Sequence, residues 1–253
     1  MKFLKNKILE YLKYKGYVIK KKSYFENIKR IPSLNKTQKK ILSISSKLTM
    51  TPKIRQYALL NLLDYIFKKN IEGDLVECGV WFGGNLIIFD QLKKKHKSKK
   101  KIYGYDTFSG MPKPTLKDKD IQKKLFLENY EDLNKRYYSQ EKFNLLKVKR
   151  NLRSNKVNLR NVKLIQGKVE ETLFKKENLP NKISLLRLDT DWFESTNVSL
   201  NQLYPKLVKG GVLIIDDYGW NSGCKKAVDN FFKKQKKEIS FFRIDHESIF
   251  LIK

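Results

Sequence analysis

The sequence predicts an α/β fold built on a mostly parallel sheet. Two observations carry this. From Gly73 onward, short apolar runs alternate with helical segments. The residues that close those runs are acidic, in a chain of 253 residues that holds 55 Lys+Arg against 26 Asp+Glu. Alternation of this kind specifies parallel strands whose two faces are covered by helices. Carboxylates at the strand ends fall where open parallel sheets bind their ligands.

The elements follow in order. Leu4, Ile8, Leu9 and Leu12 suit a short amphipathic helix, and the pattern breaks around Ile31-Pro32-Ser33. Thr51-Pro52 reads as an N-cap and first helical position, with Leu59 to Phe67 giving the next helix a broad apolar face and Gly73 closing it. Asp74 to Cys78 is a first strand, Asn85 to Lys95 a helix, and Lys101 to Asp106 a second strand. Residues 119–150 are charged, and read as helix plus an irregular excursion. Val162 to Gln166, Ile183 to Asp189 and Val212 to Asp216 are three more strands, with helices over Ser195 to Leu207 and Cys224 to Lys234. Ile239 to Arg243 and Ser248 to Ile252 have no helix between them and pair antiparallel. The economical division is an N-terminal helical extension, residues 1–49, and one domain, residues 50–253.

Composition removes several classes. Apolar residues make up 40% of the chain, enough for a packed core despite a formal charge of +29. No stretch approaches the ~18 apolar residues of a membrane span. No uninterrupted apolar run near the N-terminus marks a secretory signal. Two cysteines, Cys78 and Cys224, make neither a disulfide scaffold nor a four-ligand zinc site, and a cytoplasmic location is expected. The charge raises a nucleic-acid partner, but no RNA-binding aromatic signature or zinc finger accompanies the lysines. The first 70 residues alone hold 18 Lys+Arg and 3 Asp+Glu.

The chemistry is concentrated at the strand ends. Glu77-Cys78-Gly79-Val80-Trp81-Phe82-Gly83-Gly84-Asn85 places glycines where backbone can approach a ligand at a helix start, without the dinucleotide spacing Gly-x-Gly-x-x-Gly. Asp106 ends the second strand, placed to meet ribose hydroxyls, so the pair points to an adenosyl ligand. Extended backbone would send Asp189 and Asp191 to one side, and Asp216-Asp217 end the neighbouring strand. Converging carboxylates repel unless a cation or a proton intervenes, and oxygen ligands of this kind suit Mg²⁺. The competing reading is helix capping by Asp191, Ser195 or Asp217.

With these residues in view, the sequence resembles the macrocin O-methyltransferase family of metal-dependent sugar methyltransferases. The resemblance runs through Glu77 to Gly84, Tyr105-Asp-Thr-Phe-Ser-Gly-Met-Pro112, Leu186 to Thr196, Gly210 to Gly219 and Ala227 to Phe232. It covers about Met50 to the C-terminus. It implies a class I S-adenosylmethionine (SAM)-dependent methyltransferase fold: Rossmann-like, with a mostly parallel seven-stranded sheet and an antiparallel last strand. It also implies SAM as methyl donor, Mg²⁺ as metal and a sugar hydroxyl as acceptor, on a glycoside, a nucleotide-linked sugar or a surface polysaccharide. By position, Asp189, Asp216 and Asp217 match the metal ligands and Asp191 the general base. Glu77 and Gly79 fall to the methionine side of the cofactor, Asp106 to its ribose, and Ser109 and Glu170 to its adenosine, with Asn85 and Asp189 also among the cofactor-binding positions. The substrate lid corresponds to about residues 113–160. Relatives of this kind are often homo-oligomers. A nucleic-acid methyltransferase and a catalytically silent SAM-binding adaptor are the alternatives. Nothing marks a pocket for a flipped base, and the intact aspartates speak against a silent site.

Overall fold

The computed structural model describes Glu10 and residues 34–138, 143–235 and 239–253. The chain divides into two compact units, Met1–Leu34 and Asn35–Lys253. The helix expected over Leu4 to Leu12 and the break at Ile31 to Ser33 lie outside the described residues, Glu10 apart. Everything below concerns the second unit.

Two helices come first: α1 (Lys36–Ser45) and α2 (Lys53–Lys68). Asn35 caps α1 through a reciprocal capping box with Gln38. The alternating part follows as β1 (Asp74–Cys78), α3 (Gly84–Lys95) and β2 (Ile102–Asp106). The charged excursion contains α4 (Tyr130–Tyr138) and α5 (Leu145–Ser154). Then come β3 (Val162–Gln166), the single turn α6 (Val169–Thr172), β4 (Ile183–Leu188), α7 (Phe193–Leu203), β5 (Leu207–Ile215) and α8 (Ser222–Lys233). The chain closes with β6 (Phe242–Arg243) and β7 (Ile249–Ile252). Among the described residues no helix is long and apolar enough to cross a membrane.

The seven strands lie in the order β3-β2-β1-β4-β5-β7-β6. The first five of these, β3-β2-β1-β4-β5, are parallel, and β7 runs antiparallel to both of its neighbours. The order reverses between β1 and β4, so the carboxyl ends of those strands form the crevice where such sheets take ligands. Strand alternation sorts the side chains. Val76, Cys78, Leu186, Leu188, Leu213 and Ile215 face α7 and α8, joining Leu200, Val228 and Phe231 in one buried cluster. Each such Leu or Ile contributes about 1.5–3 kcal/mol when fully buried. Leu75, Leu185 and Val212 point to the other face and are equally buried. On that second face two ionisable side chains interrupt the apolar pattern, Glu77 of β1 and Arg187 of β4.

Two local expectations fail for physical reasons. Thr51 does not cap α2; the N-cap position is Pro52 and makes no side-chain bond. The Thr51 hydroxyl is instead buried under the sheet, accepting from Asn85 Nδ2 and Arg187 Nη2 at 3.0 Å each. The strand expected over Ile239 to Arg243 shortens to Phe242–Arg243, because the edge pairs with β7 through only two residues.

Candidate active site

At the reversal point, Gly79 follows β1 with φ +88°, and an added Cβ would overlap the carbonyl oxygen of Asp189. Only glycine lets the two strand ends close in this way. Asp189 N donates to the Cys78 carbonyl, and Asp216 N to the Leu188 carbonyl, both at 2.9 Å. Three adjacent strand ends are thus held in register, and their carboxylates meet. Ligand oxygens of Asp189, Asp216 and Asp217 all lie within 4.8 Å of one another.

Beneath them sits Arg187, 1% exposed. Its Nη1 donates to Glu77 Oε1 (2.8 Å) and Asp189 Oδ2 (2.9 Å), and its Nη2 to Asp216 Oδ1 (2.7 Å). Arg55 reaches over from α2. Its Nη1 donates to Asp216 Oδ2 at 2.7 Å, its Nε to Asp245 Oδ2 at 2.6 Å, and its Nη2 to Glu247. Asp216 is therefore fixed from both sides, each oxygen keeping a further lone pair for a cation. Neither arginine was singled out from the sequence. The available signal was an Arg inside the otherwise apolar run Ser184 to Leu188, since a buried guanidinium needs acidic partners.

The electrostatics of the cluster are those of crowded like charges. Burial raises the Asp189 carboxyl, and Asp216 adds to it while Arg187 opposes. Burial, then Asp189 and Asp216, raises Asp191. Burial, then Asp191, Asp189 and Asp216, raises Asp217 well above the carboxylate range. A cation placed among them would relieve this repulsion, and the hard oxygen donor set matches Mg²⁺.

Asp191 arrives by a different route from the expected one. β4 ends at Leu188, and Asp191 has φ +60°, so period-two alternation does not govern it. It sits at the centre of a three-residue turn in which Trp192 N donates to the Thr190 carbonyl at 2.7 Å. Helix capping does not explain the aspartates. The N-cap of α7 is Trp192, with no side-chain bond. Ser195 Oγ donates to the Thr190 and Trp192 carbonyls instead. The cap of α8 is Asn221, whose Oδ1 accepts from Gly223 N and Cys224 N.

A cavity of about 420 Å³ opens above the cluster, with Asp189, Asp191, Asp216 and Asp217 in its wall. One end is formed by Gly79, Trp81, Asp106 and the Gly167–Glu170 turn. Glu170 presents a buried Oε2 that has no hydrogen-bond partner among the described residues, leaving an acceptor free for a donor. Asp106 is already engaged: its Oδ2 accepts from Val80 N (2.8 Å) and Trp81 N (3.0 Å), and its Oδ1 from Phe108 N (2.9 Å). It folds the β1–α3 turn onto β2, and burial raises its carboxyl despite those bonds. The other end is aromatic. Phe126 lies 5.3 Å from Trp192 and 6.4 Å from Trp220, ring centre to centre. Sequence reasoning missed this wall, which the irregular excursion brings in.

The remaining candidates do not reach the cavity. Glu77 is fully buried behind it, bound to Arg187 and to Asn85 Nδ2 (3.0 Å), and its Oε2 is unpartnered. Burial pushes its carboxyl up to about 8, against the pull of Arg187 and Asn85. Asn85 shares that buried layer. Ser109 is exposed and is not part of the cavity wall, its N–H donating to Thr107 Oγ1 at 3.3 Å. Both cysteines are buried, and burial raises both thiols, so neither offers a thiolate nucleophile. His96 stacks on Phe67 at 5.0 Å and His246 stands in solvent.

Comparison with known proteins gives this arrangement a family. The model of the macrocin O-methyltransferase (TylF) family matches residues 1–253. Demethyldecarbamoylnovobiocin O-methyltransferase of Streptomyces niveus is 30% identical over 187 residues, covering 73% of this chain and 68% of its own. Mycinamicin III 3''-O-methyltransferase of Micromonospora griseorubida is 26% identical over 204 residues, 80% of this chain and 77% of its own. The solved structure of the O-methyltransferase NovP superposes with a TM-score of 0.71 at 26% identity, covering 81% of each chain. The chain belongs to the macrocin O-methyltransferase family, with a class I methyltransferase fold, and is a SAM-dependent O-methyltransferase.

Proposed function

We propose that this family member transfers the methyl group of SAM to a sugar hydroxyl in a reaction that requires Mg²⁺. The observation that carries the reading is the convergence of Asp189, Asp216 and Asp217 within 4.8 Å, in the wall of the cavity that Asp191 also lines. The names of the relatives support a sugar acceptor: the Micromonospora enzyme is a 3''-O-methyltransferase of mycinamicin III.

The residues divide the work. Gly79 and the Gly167–Glu170 turn would receive the donor, with the unpartnered Glu170 oxygen accepting from its amine. Asp189, Asp216 and Asp217 would hold the cation, Arg187 and Arg55 keeping Asp216 in place. Bound there, SAM would supply an electrophilic methyl group and Mg²⁺ would supply Lewis acidity that makes the acceptor hydroxyl easier to deprotonate. Asp191 would accept the hydroxyl proton from its place in the same cavity wall. Phe126, Trp192 and Trp220 would seat the apolar face of the acceptor. Fixing both reactants in line is worth about 7–11 kcal/mol in favourable cases.

The test is methyl transfer from radiolabelled SAM to simple glycosides, beginning with methyl α-L-rhamnopyranoside, with Mg²⁺ or with excess EDTA. Transfer that stops in EDTA and returns with Mg²⁺ is expected. Undiminished transfer in EDTA removes the metal from the reaction.

A further inference from the structure

One buried carboxylate ties the segment after β2 to the helix after β4. Asp118 is closed to solvent. Its Oδ2 accepts from Thr115 N (2.8 Å) and Thr115 Oγ1 (2.9 Å), fixing its own loop. Its Oδ1 accepts from Phe193 N at 2.8 Å, across 75 positions of sequence. Phe193 is the first residue of α7, a helix with no side-chain cap of its own. Asp118 thus supplies from outside the acceptor that the helix start lacks, and an anion is favoured at that end of a helix.

The same segment is fastened to α8. An added Cβ on Gly223 would overlap Asp118 Oδ1, so the glycine makes room for the carboxylate. Ser222 N donates to the Lys119 carbonyl at 2.9 Å, and Lys119 N to Ser222 Oγ at 3.2 Å. Trp192 Nε1 donates to the Pro112 carbonyl at 2.8 Å. The backbone of Asp118 also roots the small loop that delivers Phe126, whose N–H donates to the Asp118 carbonyl at 3.2 Å.

What these bonds hold is the turn that carries Asp191. That residue has φ +60°, between Thr190 and Trp192. A non-glycine residue keeps such a backbone only when its surroundings over-determine it. Ser195 Oγ bonds the Thr190 carbonyl at 3.0 Å on one side of the turn. Asp118 fixes Phe193 N on the other.

We propose that Asp118 is a positioning residue. It holds residues 190–193 in the turn that places Asp191 in the cavity wall, with the same carboxylate it fixes its own loop at Thr115, and through its backbone carbonyl it anchors Phe126. This rests on the reading of Asp191 as the base. It predicts that the loop after β2 and the turn after β4 move as one unit.

The test uses the full chain with SAM and Mg²⁺, as wild type, Asp118→Ala, Asp118→Asn and Gly223→Ala. Amide exchange followed by mass spectrometry reads the turn without needing turnover. Exchange over residues 190–195 should quicken at least tenfold in Asp118→Ala and Gly223→Ala. It should quicken less in Asp118→Asn, whose amide oxygen still accepts from Phe193 N. In transfer to methyl α-L-rhamnopyranoside, kcat should fall at least tenfold in Asp118→Ala while the calorimetric Kd for SAM stays within twofold. Asp118→Asn should recover part of kcat. Wild-type exchange in Asp118→Ala overturns the proposal. So does exchange that quickens equally in β1 and β2, or an unchanged kcat. Should the wild type transfer no methyl group to this sugar, the sugar is not its acceptor, and exchange alone decides the positioning role of Asp118.

Discussion

Glu77 and Arg187 are register partners on adjacent strands, joined at 2.8 Å with both side chains closed to solvent. Neither lines the cavity, yet Arg187 also bonds Asp189 and Asp216, which do. The pair is the foundation on which the rim carboxylates stand. Arg187→Met should therefore destabilise the chain by about 3–5 kcal/mol, the cost of leaving a buried charge uncompensated. Urea denaturation measures it. Adding Glu77→Gln to Arg187→Met should restore part of the loss, because the orphaned carboxylate is then gone. A double variant no more stable than the single one would show that Glu77 is not the group left stranded.

Gly79 marks the closest approach of two strand ends. Gly79→Ala combines a left-handed backbone, worth about 1–2 kcal/mol against an L side chain, with a collision on the Asp189 carbonyl. The strand ends must part, and Asp189 moves with them. Calorimetry should show SAM binding weakened at least tenfold, with a lower urea midpoint. Wild-type affinity for SAM would mean that the crevice does not depend on this contact.

Four of the five parallel strands were legible because burial on both faces writes near-continuous apolar runs with acids at their ends; the edge strand β3 carries an exposed Lys163 and closes on Gln166. Asp189, Asp191, Asp216 and Asp217 could be read as a group because they follow the ends of two neighbouring strands, and the family resemblance picked 189, 216 and 217 from among them. Asp191 was legible as a residue but not as a conformation. Its placement depends on a turn in which Trp192 bonds back to Thr190, and alternation carries no information past the last strand residue. Thr51 shows the limit from the other side. Thr-Pro satisfies a local capping pattern, but the hydroxyl is claimed by Asn85 and Arg187, 34 and 136 positions away. Arg55 and Asp118 are the same case: their partners are set by how the sheet is covered, and nothing within a few residues announces them.

Asp64 offers a pH test away from the site. Burial would raise its carboxyl, but bonds from Lys68, Lys95 and His96 outweigh that and hold it below the usual range. The folded state therefore prefers the ionised form more than the unfolded state does. This contribution is fully present above the ordinary aspartate pKa of about 3.9 and is lost as pH falls toward the lower folded value. Asp64→Asn should cost about 0.5–1 kcal/mol at pH 7, in keeping with a partly exposed ion-pair cluster. The difference from wild type should shrink as urea titrations are repeated downward from pH 5. A gap that widens on acidification would reverse the sign of the argument.

Asp217 and Asp191 are both raised by burial and by the charges of Asp189 and Asp216, but they should separate under mutation. Removing either charge relieves repulsion in the metal-free protein. Asp217→Asn should gain about 1 kcal/mol, a rise in Tm of about 2–4 °C for a chain of this size, and should lose any further rise on adding Mg²⁺. Asp191→Asn should keep the Mg²⁺-dependent rise, since the base is not among the three ligands, while kcat falls by about 10²–10⁴. Thermal melts with and without Mg²⁺, run beside the transfer assay, resolve the two. If Asp191→Asn loses the Mg²⁺ response and Asp217→Asn keeps it, the roles of ligand and base are exchanged between them.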